Sequence, residues 1–529
     1  MDRDYIKYIF IVIIIILVVV AGIIFINKNN NDEGKKIDQT STNSNIKKNL
    51  RIAIAGFDTI NPILSKNKNV KEISSLIYDS LVTYDGNLKL KYNLAKEIGK
   101  IDNTNYIIKL KEDIYWSNGE KLTADDIKFT VDIIKSEVNS IYADNLQNVS
   151  GLEIIDDNSI RISLYEEVPF FEYYLTFPIM SRKYYEGENF VDTVKNDSPI
   201  GTGMFQISSV EDGKLVLSKN SYYWNNEKKP LIEQIQINKY SSIGEVYKAF
   251  KLGDIDIINV SAKNIEEYIG SIGYSKVEYK TRNYDFLSFN TTNPVFLESS
   301  VRKAINLAID KNNIIATTLG NGYQVSNFFF DMESWLYDDI LNTETNLDLA
   351  KQILETSGWG YRQNKWFKNI NGIVVELKFD LIVNASDSIK VNVANNISNQ
   401  LKNIGITAMV KQVSTQKYLE YLNNKNYSCI LTGIESNFTP NLENYFGVNN
   451  LANYRNEEIL NILNSVKNQN NQDEIKKEYQ RLYEIYKEEI PYVGLYRETD
   501  YVVFNQGLIC NLNPNSFNIF NNIEKWYRQ

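Results

Sequence analysis

The sequence predicts an α/β globular region preceded by one transmembrane helix. Three observations lead there. An apolar run stands near the N-terminus, short segments alternate apolar and polar residues with a period of two, and capped helices with apolar residues at helical spacing are interleaved with them.

Residues 9–26 are uninterruptedly apolar and follow Arg3 and Lys7. At the rise of an α-helix this run spans about 27 Å, enough to cross a bilayer core, and it reads as an uncleaved signal anchor. Val20-Ala21-Gly22 has the form that precedes a lipoprotein cysteine, but position 23 is Ile23, which offers no thiol. Cleavage after Ala21 is the alternative. Residues 27–49 are polar, with almost nothing to bury, and are expected to form a disordered tether spanning about 25 Å.

Folded sequence is expected from Leu50, where Ile52 and Ile54 continue a strand. Ile73, Leu76, Ile77, Ser80 and Leu81 share one helical face. In 106–130, YIIKLKEDIYWSNGEKLTADDIKFT, Tyr106, Ile108 and Leu110 alternate as on a half-buried strand. Asn118-Gly119 makes a turn, and Thr123 with Asp126 has the spacing of a helix cap and its reciprocal carboxylate. Two further strands are expected in GLEIIDD and SIRISLYE. In SPIGTGMF (198–205), Gly201 and Gly203 lack the lysine and third glycine of a phosphate loop and read as a tight strand entry needing positive φ.

A helix over 299–310 carries Val301, Ala304, Ile305, Ala308 and Ile309 on one stripe, with Ser299 or Ser300 as cap. LDLAKQILETSGW and ISNQLKNIGI read as helices closed by Gly358 and Gly405, flanking the strand VELKFDLIV. The last helix carries Ile475, Tyr479, Leu482, Tyr483 and Tyr486, is stopped at Ile490-Pro491, and leads to the strand YVVF.

Composition excludes several functions. With 57 basic against 66 acidic residues in 529, the net charge of -9 disfavours nucleic acid. No histidine is present, which removes imidazole bases, Ser-His-Asp and Cys-His pairs and the usual zinc sets. Cys429 and Cys510 are too few for a thiolate cage and are either two free thiols or one bridge. No carboxylate pair stands out as a catalytic motif, so an enzyme is not expected and no cofactor is implied. A membrane-anchored hydrolase using carboxylates is the alternative of another class.

The wording of several stretches goes further. A strand followed by an aromatic, S-N-G and LTADDIKF resembles the signature of the extracytoplasmic solute-binding proteins of peptide ABC importers, family 5, oligopeptide- and dipeptide-binding type. KEISSLIYDSLVTYDG with NLAKEI, SPIGTGMF with YYWNNEKKPLIEQIQI and AFKLGDIDI, SSVRKAINLAIDKNNI, LTGIESNFTPNLENYF and the closing EEIPYVGLY are similar to phrases of the same family, in the same order.

The resemblance implies a two-lobed periplasmic-binding-protein-like fold with a hinge. Lobe 1 would comprise 50–88, 192–283 and 503–529, a small domain 89–191 would be inserted in it, and 284–502 would form lobe 2. It also implies a monomer on the extracytoplasmic side of the cell membrane, closing on a peptide and passing it to permease subunits. A same-fold sensor or a binder of a non-peptide solute is the alternative.

Ligand contacts are implied at Lys66, Asn67 and Lys68, at Tyr142, and at Gly433, Ile434, Glu435 and Asn437. Here the chain departs from its relatives. Where peptide binders commonly read G-W-x-x-D-Y, with the aspartate on the peptide ammonium, this sequence has Ile434 and Asn437. An amide lacks the full charge that holds a desolvated ammonium. Glu435 lies on the same face as Asn437 if the segment is extended and is the candidate to take over that role; the alternative is a plain exposed carboxylate and a ligand that lacks a free amino terminus.

Overall fold

The computed structural model describes residues 49–268, 273–370, 372–467, 469 and 471–528. The expected anchor and tether lie outside the described residues, apart from Asn49, which begins a strand. Among the described residues no helix is long and apolar enough to cross a membrane.

Three sheets carry the architecture. In the first, Asn49–Ala55 runs parallel to Gln234–Tyr240, and Lys214–Lys219 and Phe205–Glu211 extend it antiparallel. The second is an antiparallel sheet of Ala95–Lys100, Asn105–Leu110, Ser159–Leu164 and Val149–Asp156. It is backed by the helix Ala124–Ser136, whose Ile127, Val131 and Ile134 join Ile108, Ile160 and Ile162 in one core. The alternation expected at Leu50, Ile52 and Ile54 and at Tyr106, Ile108 and Leu110 is present, with all six side chains buried.

The third sheet has seven strands. Ile257–Val260, Tyr492–Asn505, Tyr274–Phe289, Cys429–Glu435, Lys378–Asn384 and Thr407–Val413 follow in that spatial order, and Tyr323–Val325 pairs with Tyr492–Asn505. Lys378–Asn384 is parallel to both of its neighbours, through crossovers that contain the helices Ser388–Asn403 and Thr415–Asn424. Two large apolar cores result. One gathers side chains from 50–279 and 502–526, and the other chiefly from 284–496. The long strands Tyr274–Phe289 and Tyr492–Asn505 run through both, with a register shift between Lys280 and Tyr284.

The signature stretch is a buried polar knot. Thr123 and Asp126 form the expected capping box. The Asp126 carboxylate also accepts from Trp116 Nε1 at 3.3 Å and from the Arg182 backbone N–H at 2.7 Å. Burial raises its pKa, while these donors act to lower it. The left-handed residue of the turn is Gly119, at φ +84°.

Several expectations are corrected. Gly201 and Gly203 both lie outside the left-handed region. They are small because the chain crosses the end of the helix Lys68–Ile77: a Cβ on Gly201 would lie 1.9 Å from the Ile77 carbonyl oxygen, and Gly203 N–H donates to that oxygen at 2.8 Å. That helix stops at Ile77, so Ser80 and Leu81 are not on it. The N-cap position of the helix Ser299–Ala308 is Glu298 instead of a serine, and its side chain makes no capping hydrogen bond, although the apolar stripe is buried as expected. Cys429 and Cys510 are free thiols.

Candidate ligand-binding site

The first group of expected ligand contacts lies at the start of the helix Lys68–Ile77. Asn67 is its cap, and its side chain is fully used: it accepts from Asn69 N–H at 2.9 Å and donates to the carbonyls of Ala55 and Gly56 at 2.7 and 2.8 Å. Lys66 and Lys68 beside it are exposed, and Lys66 N–H donates to Asp58. One turn on, Lys71 sits over the ring of Tyr142 with Nζ 5.8 Å from its centroid. Tyr142 is only 4% exposed, so it packs as a wall instead of lying on the surface. Crowding by surrounding atoms lowers the Lys71 pKa, Arg282 adds to that effect, and Glu435 works against it. Lys71 and Tyr142 line a cavity of about 320 Å³ of their own, together with Tyr84 and Phe517. Sequence reasoning missed Lys71, although its spacing from Lys68 puts both lysines on one helical face.

The second group lies chiefly on the strand Cys429–Glu435. This strand pairs along its length with Tyr274–Phe289, placing Gly433 opposite Asp285, Ile434 opposite Tyr284 and Glu435 opposite Asn283. Toward Lys378–Asn384 it pairs only at Cys429 and Ile430. From Thr432 onward that edge has no strand partner among the described residues, because the neighbouring chain turns away into residues 385–387 and the helix Ser388–Asn403. A cavity of about 590 Å³ opens there, lined by Gly433, Ile434 and Glu435 and by Asp285, Lys390 and Glu498 among others.

Lys390 bridges Asp285 at 3.2 Å and Asp387 at 3.0 Å. Burial pushes the Asp285 carboxyl up, against the pull of Lys390. Burial works against the Lys390 charge, yet Asp285 and Asp387 hold its pKa above the usual lysine value. A Cβ on Gly433 would lie 1.9 Å from Asp285 Oδ1, so a side chain there has to displace that carboxylate. Asp285 and Lys390 were not legible in the sequence, being far apart along the chain.

Glu435 does not stand free for an ammonium group: it is ion-paired with Arg282. Asn437 opens on a different hollow, a narrow recess of about 30 Å³ shared with Arg282, Asp331, Trp335 and Arg497. The structure thus brings Gly433, Ile434 and Glu435 together on one cavity and leaves Asn437 outside it. Near the recess, Tyr84, Phe438 and Phe517 pack with ring centroids 4.8 to 5.4 Å apart, and the Arg282 guanidinium lies 4.9 Å from the Phe438 centroid.

Residues 89–455 match the bacterial extracellular solute-binding proteins, family 5, over the middle region of that family. The chain belongs to this family. It is similar to the oligopeptide-binding protein AppA of Bacillus subtilis, with 24% identity over 522 residues, covering 92% of this chain and 94% of the relative.

Among solved structures, the unliganded open form of the periplasmic murein tripeptide-binding protein MppA superposes with a TM-score of 0.76 at 18% identity, covering 91% of this chain and 97% of the other. A nickel ABC transporter structure from Bacillus halodurans gives a TM-score of 0.76 at 19% identity, covering 91% and 100%. These likenesses show the two-lobed α/β fold of periplasmic binding proteins. In this family 5 solute-binding protein, the signature stretch around Trp116 and Asp126 belongs to the buried scaffold, and the cavity beside Gly433 is built by the third sheet.

Proposed function

We propose that this protein is the extracytoplasmic component of an ABC importer that binds peptides and delivers them to permease subunits, held at the membrane as a monomer by its N-terminal apolar segment. The observation that carries the reading is the unpaired edge of Thr432–Glu435 beside the large cavity. An extended peptide added to that edge satisfies its main-chain donors and acceptors with hydrogen bonds that ignore side-chain identity, which is the basis of broad peptide specificity. The similarity to an oligopeptide-binding protein along nearly the whole chain supports the same ligand class.

The lobes in this reading are 50–88 with 192–283 and 503–529, the inserted domain 89–191, and 284–502. The two apolar cores support that division. The register shift between Lys280 and Tyr284 marks where the paired long strands bend on closure. Ligand contacts with both lobes favour the closed state. A non-peptide solute is the second reading, favoured by Asn437 in the place of the usual aspartate and by the equal structural likeness to a nickel transporter.

Thermal unfolding of the full chain in detergent tests this. A ligand at about a hundred times its dissociation constant adds ~2.7 kcal/mol, a rise of about 2 to 3 °C for a protein of this size. Pools of tri- to hexapeptides are expected to give that rise, and free amino acids and oligosaccharides are not. A rise with oligosaccharides alone would remove the peptide assignment.

A further inference from the structure

The cavity beside Gly433 is strongly asymmetric in charge. Its walls carry the carboxylates of Asp285, Asp387, Glu435 and Glu498 and a single ammonium, Lys390. Lys390 is shared between Asp285 and Asp387, so one positive charge serves two carboxylates. Glu435 is matched by Arg282 at the rim. Glu498 accepts a hydrogen bond from the Asn283 amide at 2.7 Å and has no ion pair among the described residues. Lys71, over the Tyr142 ring, lines a separate cavity.

Tyr496 lines the same cavity, is 3% exposed, and sets its hydroxyl against the Asp285 carboxylate. A second observation is independent of charge: Gly433–Glu435 line the cavity along a strand edge that the ladder to Lys378–Asn384 does not reach, and the main-chain donors and acceptors of such an edge suit an extended ligand. The carboxylates do not converge on a metal-sized point: among the described residues no three acidic groups could hold a metal ion. The complement of such a cavity is an extended organic cation.

We propose that the cavity between Gly433 and Lys390 selects peptides carrying a basic side chain, lysine or arginine, which enters between Glu498 and the Asp285–Asp387 pair. The proposal rests on the peptide reading above and narrows it. The backbone of the ligand lies on the Thr432–Glu435 edge, and its cationic head brings the compensating charge that Lys390 alone does not supply. Tyr496 and Tyr323 provide aromatic faces on the wall against which the alkyl stem of a lysine or the plane of a guanidinium packs.

Calorimetric titration of the full chain in detergent with trilysine, trialanine and triglutamate tests it. Trilysine is expected to bind at least tenfold more tightly than trialanine and triglutamate more weakly than either, with the preference shrinking as salt rises. The preference is expected to fall toward unity in Asp387→Asn with Glu498→Gln. Asparagine still caps the helix at position 387, and both replacements keep side-chain volume. Glu498→Gln alone, with its melting temperature measured in parallel, guards against loss of fold and is expected to give a partial loss of preference. Equal affinity for trilysine and trialanine in the parent, or a preference unchanged in folded variants, overturns charge selection and leaves the peptide reading in place. Binding by none of the three overturns both.

Discussion

Asp126 illustrates how a residue in a recognisable motif does structural work. Its carboxylate is 4% exposed and takes hydrogen bonds from the Thr123 N–H, the Trp116 indole and the Arg182 N–H. Asp126→Ala leaves those donors unpaired and is expected to cost about 2 to 3 kcal/mol, seen as a lower urea midpoint without weaker peptide binding in the fraction still folded. Glu72 is set by its surroundings in another way. Burial first, and then the neighbouring Asp500, push its carboxyl up to about 7. A carboxyl whose folded pKa is raised contributes stability that is fully present below its unfolded value and is lost as pH rises through about 7. Glu72→Gln is therefore expected to melt about 2 °C higher than the parent at pH 8, with the difference vanishing near pH 4. An equal difference at both pH values would mean that the charge is not responsible.

At the level of elements, the two crowded glycines make contrasting predictions. A Cβ at position 201 meets the Ile77 backbone carbonyl, which belongs to a helix end and cannot swing aside. A Cβ at 433 meets the side-chain oxygen of Asp285, which is tied to Lys390 and can be displaced. Gly201→Ala is expected to lose about 3 kcal/mol of stability, whereas Gly433→Ala loses about 1 kcal/mol while disrupting the cavity and weakening peptide binding at least tenfold. Chemical unfolding paired with titration separates the two. Equal destabilisation with unchanged binding at Gly433 would detach the glycine from the site.

These elements also show what the sequence makes readable. Alternation at Leu50, Ile52 and Ile54, the Thr123–Asp126 cap and the stripe on Ser299–Ala308 were legible because they depend on neighbours within one turn or strand. The purpose of Gly201 was not, because a glycine conserves space for a backbone far along the chain as readily as it adopts positive φ. The free edge at Thr432–Glu435 was also hidden, since it exists only where Lys378–Asn384 turns away. Glu435 was a sound candidate from spacing, but its pairing with Arg282 on the adjacent strand is set by register.

Across the whole molecule, the paired strands Tyr274–Phe289 and Tyr492–Asn505 connect the two cores. In the proposed mode of binding, ligand enters as an added strand on the edge of Cys429–Glu435. Hydrogen exchange of the full chain, with and without a saturating tripeptide, reads this out at the backbone amides of residues 432–435. Exchange there is expected to slow at least tenfold in the complex, with slowing also at residues 281–283 as the long strands settle. A complex that forms while exchange at 432–435 stays unchanged would contradict it and place the ligand on another surface.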